Sequence, residues 1–296
     1  MTIKQLFNTA PITTLLLVSL IGLFILQLLS GVDANNPSTE ALLQWGANAL
    51  PYTMGNEWWR LVSSGFLHIG LMHLLFNGFA LYFFGRIAEP MFGSAKFLAL
   101  FLLAVVGGNL LNSQMAWLSI LDNTGQPGLS AGASGGIMGI GAALLVAALF
   151  KISVNGMILN LRSLILIMGI NLVYGFAVPG IDNAGHIGGA VTGGILALGF
   201  SVAHLKRTQV DAVVIPRYVT QHTDYPIHKD NGSDDIYTDN PSHITVNSIL
   251  NDSAAAPKPA IIWQLLPWII IMVIVIGFVW WWQAIHHQIL QLLAIQ

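Results

Sequence analysis

Seven long apolar stretches constrain what this chain can fold into. A helix that crosses the hydrocarbon core of a membrane needs about 20 predominantly apolar residues. Only 8% of the 296 residues are charged, whereas soluble domains carry about 25%, and the mean hydropathy is +0.70. The sequence therefore predicts an all-α polytopic membrane protein with spans at residues 12–29, 66–87, 97–117, 130–150, 157–178, 184–205 and 261–282.

The composition excludes several functional classes. The chain has no cysteine, which rules out disulfides, thiolate metal sites and a cysteine nucleophile. Its formal net charge of -2 gives no sign of a nucleic-acid partner. It contains no H-E-x-x-H zinc motif, and the predicted spans hold too few carboxylates for an aspartyl dyad. No metal or cofactor is expected, the expected partners are lipid and membrane proteins, and the oligomeric state stays open.

Three regions follow from the distribution of apolar and polar residues. Residues 1–205 form a predicted six-helix core, residues 206–260 a polar linker, and residues 261–296 a seventh helix with a short outer tail. Lysine and arginine are enriched in cytoplasmic loops. If the N-terminus is cytoplasmic, ten of the eleven lie on the inner side, and only Arg60 lies outside. A cytoplasmic N-terminus is therefore predicted.

Ser134 is predicted to lie about one turn into the fourth span, within Gly132-Ala133-Ser134-Gly135-Gly136. Backbone N–H groups in the first turn of a helix lack intrahelical partners, and the helix dipole favours an anion there. Flanking glycines let a substrate backbone approach. The same glycines also have the spacing of a helix-packing motif. Taken alone, the motif favours helix packing over a nucleophile.

His186 lies near the start of the predicted sixth span, which runs in the same direction as the fourth. The two residues are therefore expected at the same depth. Gly185, Gly189 and Gly193 form a ridge of small residues beside His186, and this ridge would let the two helices approach. A histidine activates a serine hydroxyl only within about 3 Å. The alternatives for an intramembrane histidine are a hydrogen-bonded strut or a proton relay.

The predicted second span, also running inward, carries His73 and Asn77 on one face. They could donate hydrogen bonds to an oxyanion together with the Ser134 amide, or join helices as polar contacts. His68 is assigned only a supporting role. Because all three inward-running spans hold polar residues near their outer ends, a catalytic site is favoured. Asp182 is expected in the loop before the sixth span, so we predict a Ser–His dyad.

Taken together, these motifs resemble the rhomboid intramembrane serine proteases over about residues 12–205. The resemblance implies a six-helix rhomboid-like bundle with an additional C-terminal helix. The motifs that carry it are Gly132-x-Ser134-Gly135, Gly185-His186-x-x-Gly189, His73-x-x-x-Asn77, Trp59-Arg60 and Glu89-x-x-x-Gly93.

The resemblance also implies roles for individual residues. Ser134 would be the nucleophile and His186 the general base, while His73, Asn77 and the Ser134 amide would form the oxyanion hole. Met138 stands where the family usually has an aromatic residue on the catalytic histidine, so we expect weaker orientation of His186 without loss of activity. The residues expected to support the site structurally are Trp59, Arg60, Glu89, Gly93, Gly132, Gly135, Gly189 and Met138.

The implied substrates are transmembrane proteins with helix-weakening residues, cut near the outer face of the bilayer. The family layout favours a bacterial inner membrane. One competing hypothesis is a catalytically inactive relative that binds or escorts membrane proteins, although such members typically lack the serine or the histidine. Another is a transporter lined by intramembrane His and Asn residues. No inverted repeat is apparent, and the polar groups gather at one depth, which disfavours transport.

Overall fold

A computed structural model describes residues 2–125, 128–153, 159–177, 181–212 and 260–295. Within these ranges the chain forms eleven α-helices and two short strands. In chain order they are α1 (Ile3–Thr9), α2 (Pro11–Leu29), α3 (Thr39–Gln44), β1 (Asn48–Ala49), α4 (Leu50–Met54), α5 (Arg60–Ser63), α6 (Leu71–Phe92), α7 (Ser94–Leu121), β2 (Leu129–Ser130), α8 (Ser134–Leu149), α9 (Leu161–Ala177), α10 (Asn183–Ala212) and α11 (Ile262–Ile295).

The apolar helices match the seven stretches seen in the sequence. By length and composition, five of the described helices can cross a membrane, namely α2, α6, α7, α10 and α11. Helices α8 and α9 are apolar but shorter. The predicted fold class, a helical multi-pass membrane protein, is confirmed.

The second span lies further along the chain than predicted. It was expected at residues 66–87, whereas α6 covers Leu71–Phe92. Gly70 precedes the helix with φ +101°, and Gly93 ends it with φ +83°. Both values lie in the left-handed region that favours glycine. The backbone conformation of these glycines sets the two helix ends, and a hydropathy profile does not detect it.

The fourth span is shorter than predicted, because its first residues are not helical. It was expected at residues 130–150, but α8 covers Ser134–Leu149. Ser130 belongs instead to β2, which pairs antiparallel with β1 through Asn48. Gly132 then turns the chain with φ +142°. Ser134 is therefore the first residue of its helix and does not lie one turn inside it.

The main core is formed where α7 packs against α6 and α8. Its fully buried side chains are Leu81 of α6, Phe97 and Phe101 of α7, and Ile140 and Leu144 of α8. Helix α2 adds Leu20 to the same cluster. This packing holds α8 against α6 and α7.

The chain divides into two compact units, Met1–Ser201 with Leu266–Gln296, and Val202–Leu265. In the second unit, the Lys206 ammonium lies 6.0 Å from the centroid of the Trp263 ring. Most of the predicted linker, residues 213–259, lies outside the described residues. The proposed three-region division of the chain stays a prediction.

Arg60 organises the segment between α2 and α6. Its side chain is 5% exposed and donates hydrogen bonds to the carbonyl oxygens of Leu43 and Ala47, at 2.6 and 3.0 Å. It also pairs with Glu57 at 2.7 Å. The guanidinium carbon lies 4.7 Å from the centroid of the Trp59 ring. Arg60 thus joins α5 to the end of α3, and its contacts are structural.

Glu89 joins the end of α6 to the beginning of α2. Its carboxyl oxygens accept hydrogen bonds from the backbone N–H groups of Ile12 and Thr13, at 2.9 and 2.7 Å. They also accept from the hydroxyls of Thr13 and Ser94. Those N–H groups belong to the first turn of α2 and have no intrahelical acceptor. Glu89, only 1% exposed, therefore acts as a cap supplied by another helix.

Replacing Glu89 by alanine is expected to lower the free energy of unfolding by about 3 kcal/mol, because four donors, two of them in buried hydrogen bonds, lose their acceptor. Thermal unfolding in detergent measures this change. Glu40→Ala is the matched control, since Glu40 is exposed and, within the described part of the chain, bonds only to Gln44 of its own helix. Equal unfolding temperatures for the two variants would contradict the capping role of Glu89.

Candidate active site

Ser134 begins α8, and the residues before it are held by the segment between α2 and α6, residues 30–70. The predicted orientation places this segment on the outer side of the membrane, and it is called the outer segment below. The N–H of Gly132 donates to the carbonyl oxygen of Ser64 at 2.9 Å. As the first residue of the helix, Ser134 has a backbone N–H without an intrahelical acceptor. This free donor points away from the helix at its positive end, where an oxyanion is favoured.

His186 lies in the first turn of α10. Asp182 caps this helix, because its Oδ1 accepts from the N–H of Gly185 at 2.7 Å. The backbone carbonyl of Asp182 accepts from the N–H of His186 at 3.1 Å. The Nδ1 atom of the His186 ring is buried without a hydrogen-bond partner. Asp182 is thus engaged as a helix cap and not as an orienting partner of the imidazole.

Glycines bring the backbones of α8 and α10 into direct contact. A methyl group on Gly135 would lie 3.3 Å from the carbonyl oxygen of Gly185, and one on Gly189 would overlap the carbonyl of Gly135. Because Ser134 and His186 adjoin Gly135 and Gly185, the first turns of the two helices face each other. Within the described residues, no hydrogen bond joins the Ser134 hydroxyl to the imidazole.

His73 lies in the first turn of α6 and packs against the turn that precedes Ser134. A methyl group on Gly132 would lie 2.6 Å from the Cε1 atom of His73 and 3.0 Å from its Nε2. The N–H of Ile69 donates to His73 Nδ1 at 3.4 Å. In a neutral ring with Nδ1 accepting, the hydrogen resides on Nε2. A hydrogen-bond donor is therefore placed beside Gly132.

Both candidate histidines lie beside the start of α8. The His73 ring packs on Gly132, and the turn of His186 faces the turn of Ser134. The structure thus brings together the first turns of α6, α8 and α10, which carry His73, Ser134 and His186.

The side-chain amide of Asn77 is partly engaged within its own helix and is not wholly free to donate to an oxyanion. Its side chain is 6% exposed, and its Nδ2 donates to the carbonyl of His73, one turn earlier in the same helix, at 3.0 Å. An amide nitrogen carries two hydrogens. One of them is used within α6, and the second is left for another acceptor.

His68 lies in the short connection before α6, not within a span. Its ring is 1% exposed and meets the His73 ring edge-on, with centroids 5.3 Å apart. Burial, and secondarily the charge of His73, lower the pKa of His68 to about 3. The ring is therefore neutral at pH 7 and supports His73 by packing.

Met138 borders an apolar cavity of about 260 Å³ between α8, α9 and α10. The side chain is 7% exposed. The other residues that line this cavity are Met168, Gly169, Leu172, Ile187, Ala190 and Val191. Met138 is therefore bordered by residues of α9 and α10 across this space.

A polar cluster that was not predicted from the sequence lies between the outer segment and α7. Asn109 is 5% exposed and donates to Ser64 Oγ at 2.8 Å and to the carbonyl of Leu61 at 2.9 Å. Asn48 donates to Asn112 Oδ1 at 3.2 Å. A signal was available, because Asn109 and Asn112 fall inside the predicted third span, where polar side chains are costly unless bonded.

Comparison with known families identifies the class of protein that this arrangement defines. The sequence model of the Rhomboid domain matches residues 55–203, half of the chain. The chain belongs to the rhomboid family, and the resemblance inferred from the motifs is confirmed.

Several relatives share about a third of the aligned residues or more. The chain is 41% identical over 189 residues to Rhomboid protease GluP of Bacillus subtilis (strain 168), covering 63% of this chain and 34% of that protein. It is 31% identical over 175 residues to Rhomboid protease AarA of Providencia stuartii, covering 54% and 62%. It is 32% identical over 179 residues to Inactive RHOMBOID-like protein 8 of Arabidopsis thaliana, covering 58% and 47%. The chain thus spans less than two thirds of the length of each of these relatives.

Proposed function

We propose that this protein is a serine endopeptidase that cleaves transmembrane proteins within the bilayer. The observation that carries the proposal is the glycine contact between α8 and α10, which sets the turns of Ser134 and His186 face to face. The names of two relatives, both rhomboid proteases, support the same activity.

In the proposed mechanism, Ser134 Oγ attacks the scissile carbonyl while His186 takes the hydroxyl proton. The imidazolium then gives that proton to the leaving amine, which leaves an acyl-enzyme. A water molecule, deprotonated by His186, attacks the ester and releases Ser134. The negative charge on the tetrahedral intermediates would be stabilised by the Ser134 amide, His73 Nε2 and the second hydrogen of Asn77 Nδ2. Closure of the Ser–His hydrogen bond belongs to the substrate complex, because catalytic hydrogen bonds often tighten only there.

The length of α8 supports a cleavage site below the membrane surface. Sixteen residues span about 24 Å, which is shorter than a hydrocarbon core of about 30 Å. If the C-terminal end of α8 reaches one surface of the hydrocarbon core, Ser134 lies below the opposite surface. A substrate helix in lipid keeps its amides paired, so it must unwind locally before Ser134 can reach a peptide bond. Substrates with helix-weakening residues are therefore favoured.

The charge distribution supports an orientation. Ten of eleven lysines and arginines fall on one side when the spans alternate, so we place the N-terminus in the cytoplasm. Ser134, His186 and His73 then lie toward the outer face. We place the protein in a bacterial inner membrane.

One relative supports the alternative of an inactive protein that binds or escorts membrane proteins, since it is named as inactive. Two residues distinguish the hypotheses in this chain. Both Ser134 and His186 are present and lie on facing turns, whereas a protein that only binds its partners needs neither. The endopeptidase is therefore preferred.

The test is cleavage of several transmembrane substrates in liposomes by the full chain, beside Ser134→Ala. Ser19→Ala is the matched control, because among the residues that the structure describes the Ser19 hydroxyl bonds only to Leu15 of its own helix. The proposal expects cleavage by the wild type and by Ser19→Ala, and none by Ser134→Ala. Equal cleavage by all three would exclude Ser134 as the nucleophile. Failure of all three on every substrate would favour the escort function.

A further inference from the structure

The last helix, α11, is bonded to the outer segment and does not simply lie in lipid. Two of its side chains reach the end of the short helix α4. Trp282 Nε1 donates to the carbonyl of Thr53 at 3.1 Å, and His286 Nδ1 lies 2.6 Å from the carbonyl of Met54. A carbonyl oxygen only accepts, so His286 Nδ1 carries the hydrogen. The last carbonyls of a helix lack intrahelical partners, and α11 supplies donors for them.

These two donors are held as a unit. Trp282 and His286 are four residues apart and share one face of α11. Their rings stack with centroids 5.0 Å apart and an interplanar angle of 8°. Ile285, 1% exposed, belongs to the same apolar cluster as Leu50 and Met54 of α4. The contact therefore combines apolar burial with two directed hydrogen bonds.

From α4, hydrogen bonds lead toward Ser134. The Thr53 hydroxyl donates to Asn48 Oδ1 at 2.7 Å. Asn48 lies in β1 and is paired with Ser130 of β2. Only three residues separate Ser130 from Ser134, and the backbone of one of them, Gly132, is tied to the outer segment as well.

The position of Ser134 depends on what holds these strands. It starts its helix, so no preceding turn of α8 supports it. A strand pair of two residues each is too short to be stable without surrounding structure. The β1–β2 pair is supported by α4, through the hydrogen bond from Thr53 to the Asn48 side chain. Helix α4 is in turn held by α11.

We propose that Trp282 and His286 are positioning residues for Ser134, acting through α4 and the β1–β2 pair. This inference rests on the proposed endopeptidase function. Neither side chain is a catalytic residue, because each one touches the outer segment and not the facing turns of α8 and α10. Helix α11 would then control the reactivity of Ser134 without contributing a side chain to the candidate active site.

The experiment measures the rate at which a fluorophosphonate probe labels Ser134 in detergent, and compares the wild-type full chain with variants. The test variant combines Trp282→Phe with His286→Leu, which keeps bulk and removes both donors. Loss of the two hydrogen bonds is expected to slow labelling about tenfold. With a transmembrane substrate, kcat should fall by a similar factor and KM should stay near the wild-type value.

Two further variants separate positioning from general damage. Trp280→Phe is the matched control, because Trp280 is 71% exposed on the same helix, and it should be labelled at the wild-type rate. His286→Asn places an amide nitrogen near the position of Nδ1, so it should be labelled faster than His286→Leu alone. If the double variant does not fold, the comparison of His286→Asn with His286→Leu is the test.

The outcomes distinguish this inference from the proposed function. Slow labelling of the double variant, with rescue by His286→Asn and no effect of Trp280→Phe, supports the inference. Labelling of the double variant at the wild-type rate, or equal rates for His286→Asn and His286→Leu, overturns it and leaves the endopeptidase standing. A wild-type protein that neither labels at Ser134 nor cleaves any substrate overturns the proposed function, and the inference with it.

Discussion

Substituting His186 by asparagine is expected to reduce kcat/KM by about 10³-fold, because a serine hydroxyl is a weak nucleophile without a general base. The fold should survive, since Nδ1 of the ring makes no hydrogen bond that the substitution would remove. Cleavage of a transmembrane substrate in liposomes measures the loss, and thermal unfolding checks the fold.

The control for this variant is His287→Asn, the same substitution at an exposed position of α11. It should cleave at the wild-type rate. A His186→Asn protein that keeps more than about a tenth of the wild-type kcat/KM would be inconsistent with a general base, whose contribution is about 10²-fold or more.

Gly189→Ala is expected to damage both stability and activity. Its methyl group would overlap the carbonyl of Gly135, so α8 and α10 must separate. Overpacking of this kind costs about 1–3 kcal/mol, and a displacement of about 1 Å at the reacting groups costs about 10²-fold in rate. Thermal unfolding in detergent and cleavage in liposomes measure the two effects.

The matched control is Gly194→Ala on the same helix, where a methyl group meets nothing within 4 Å. Alanine also has the higher helix propensity, so this variant should unfold at the same or a higher temperature and keep its activity. If both variants behave like the wild type, the two helices are not held by backbone contact at Gly189.

The fold was largely predictable because lipid imposes a simple rule on sequence. A spanning segment must be long and apolar, and all seven predicted stretches correspond to described helices. Their ends were less predictable. Gly70 and Gly132 set the starts of α6 and the turn before α8 through positive φ values, and an apolar window averages over such residues.

Part of the candidate site followed from spacing within single helices. The ridge of Gly185 and Gly189 predicted a close approach to α8, and the structure has one. The orientation of Asn77 did not follow, because its amide bonds within its own helix. Contacts between distant segments were also beyond pattern reasoning. The hydrogen bond from Trp282 to Thr53 joins residues 229 positions apart, and no local periodicity encodes it.

The proposed mechanism requires above all that Ser134 is an activated nucleophile. The decisive measurement is peptide mass spectrometry of the full chain after treatment with a fluorophosphonate, beside His186→Asn treated in the same way. One phosphonylated serine, Ser134, is expected in the wild type, and little or no adduct is expected in the variant. An adduct on another serine, or equal modification of Ser134 with and without His186, would contradict it.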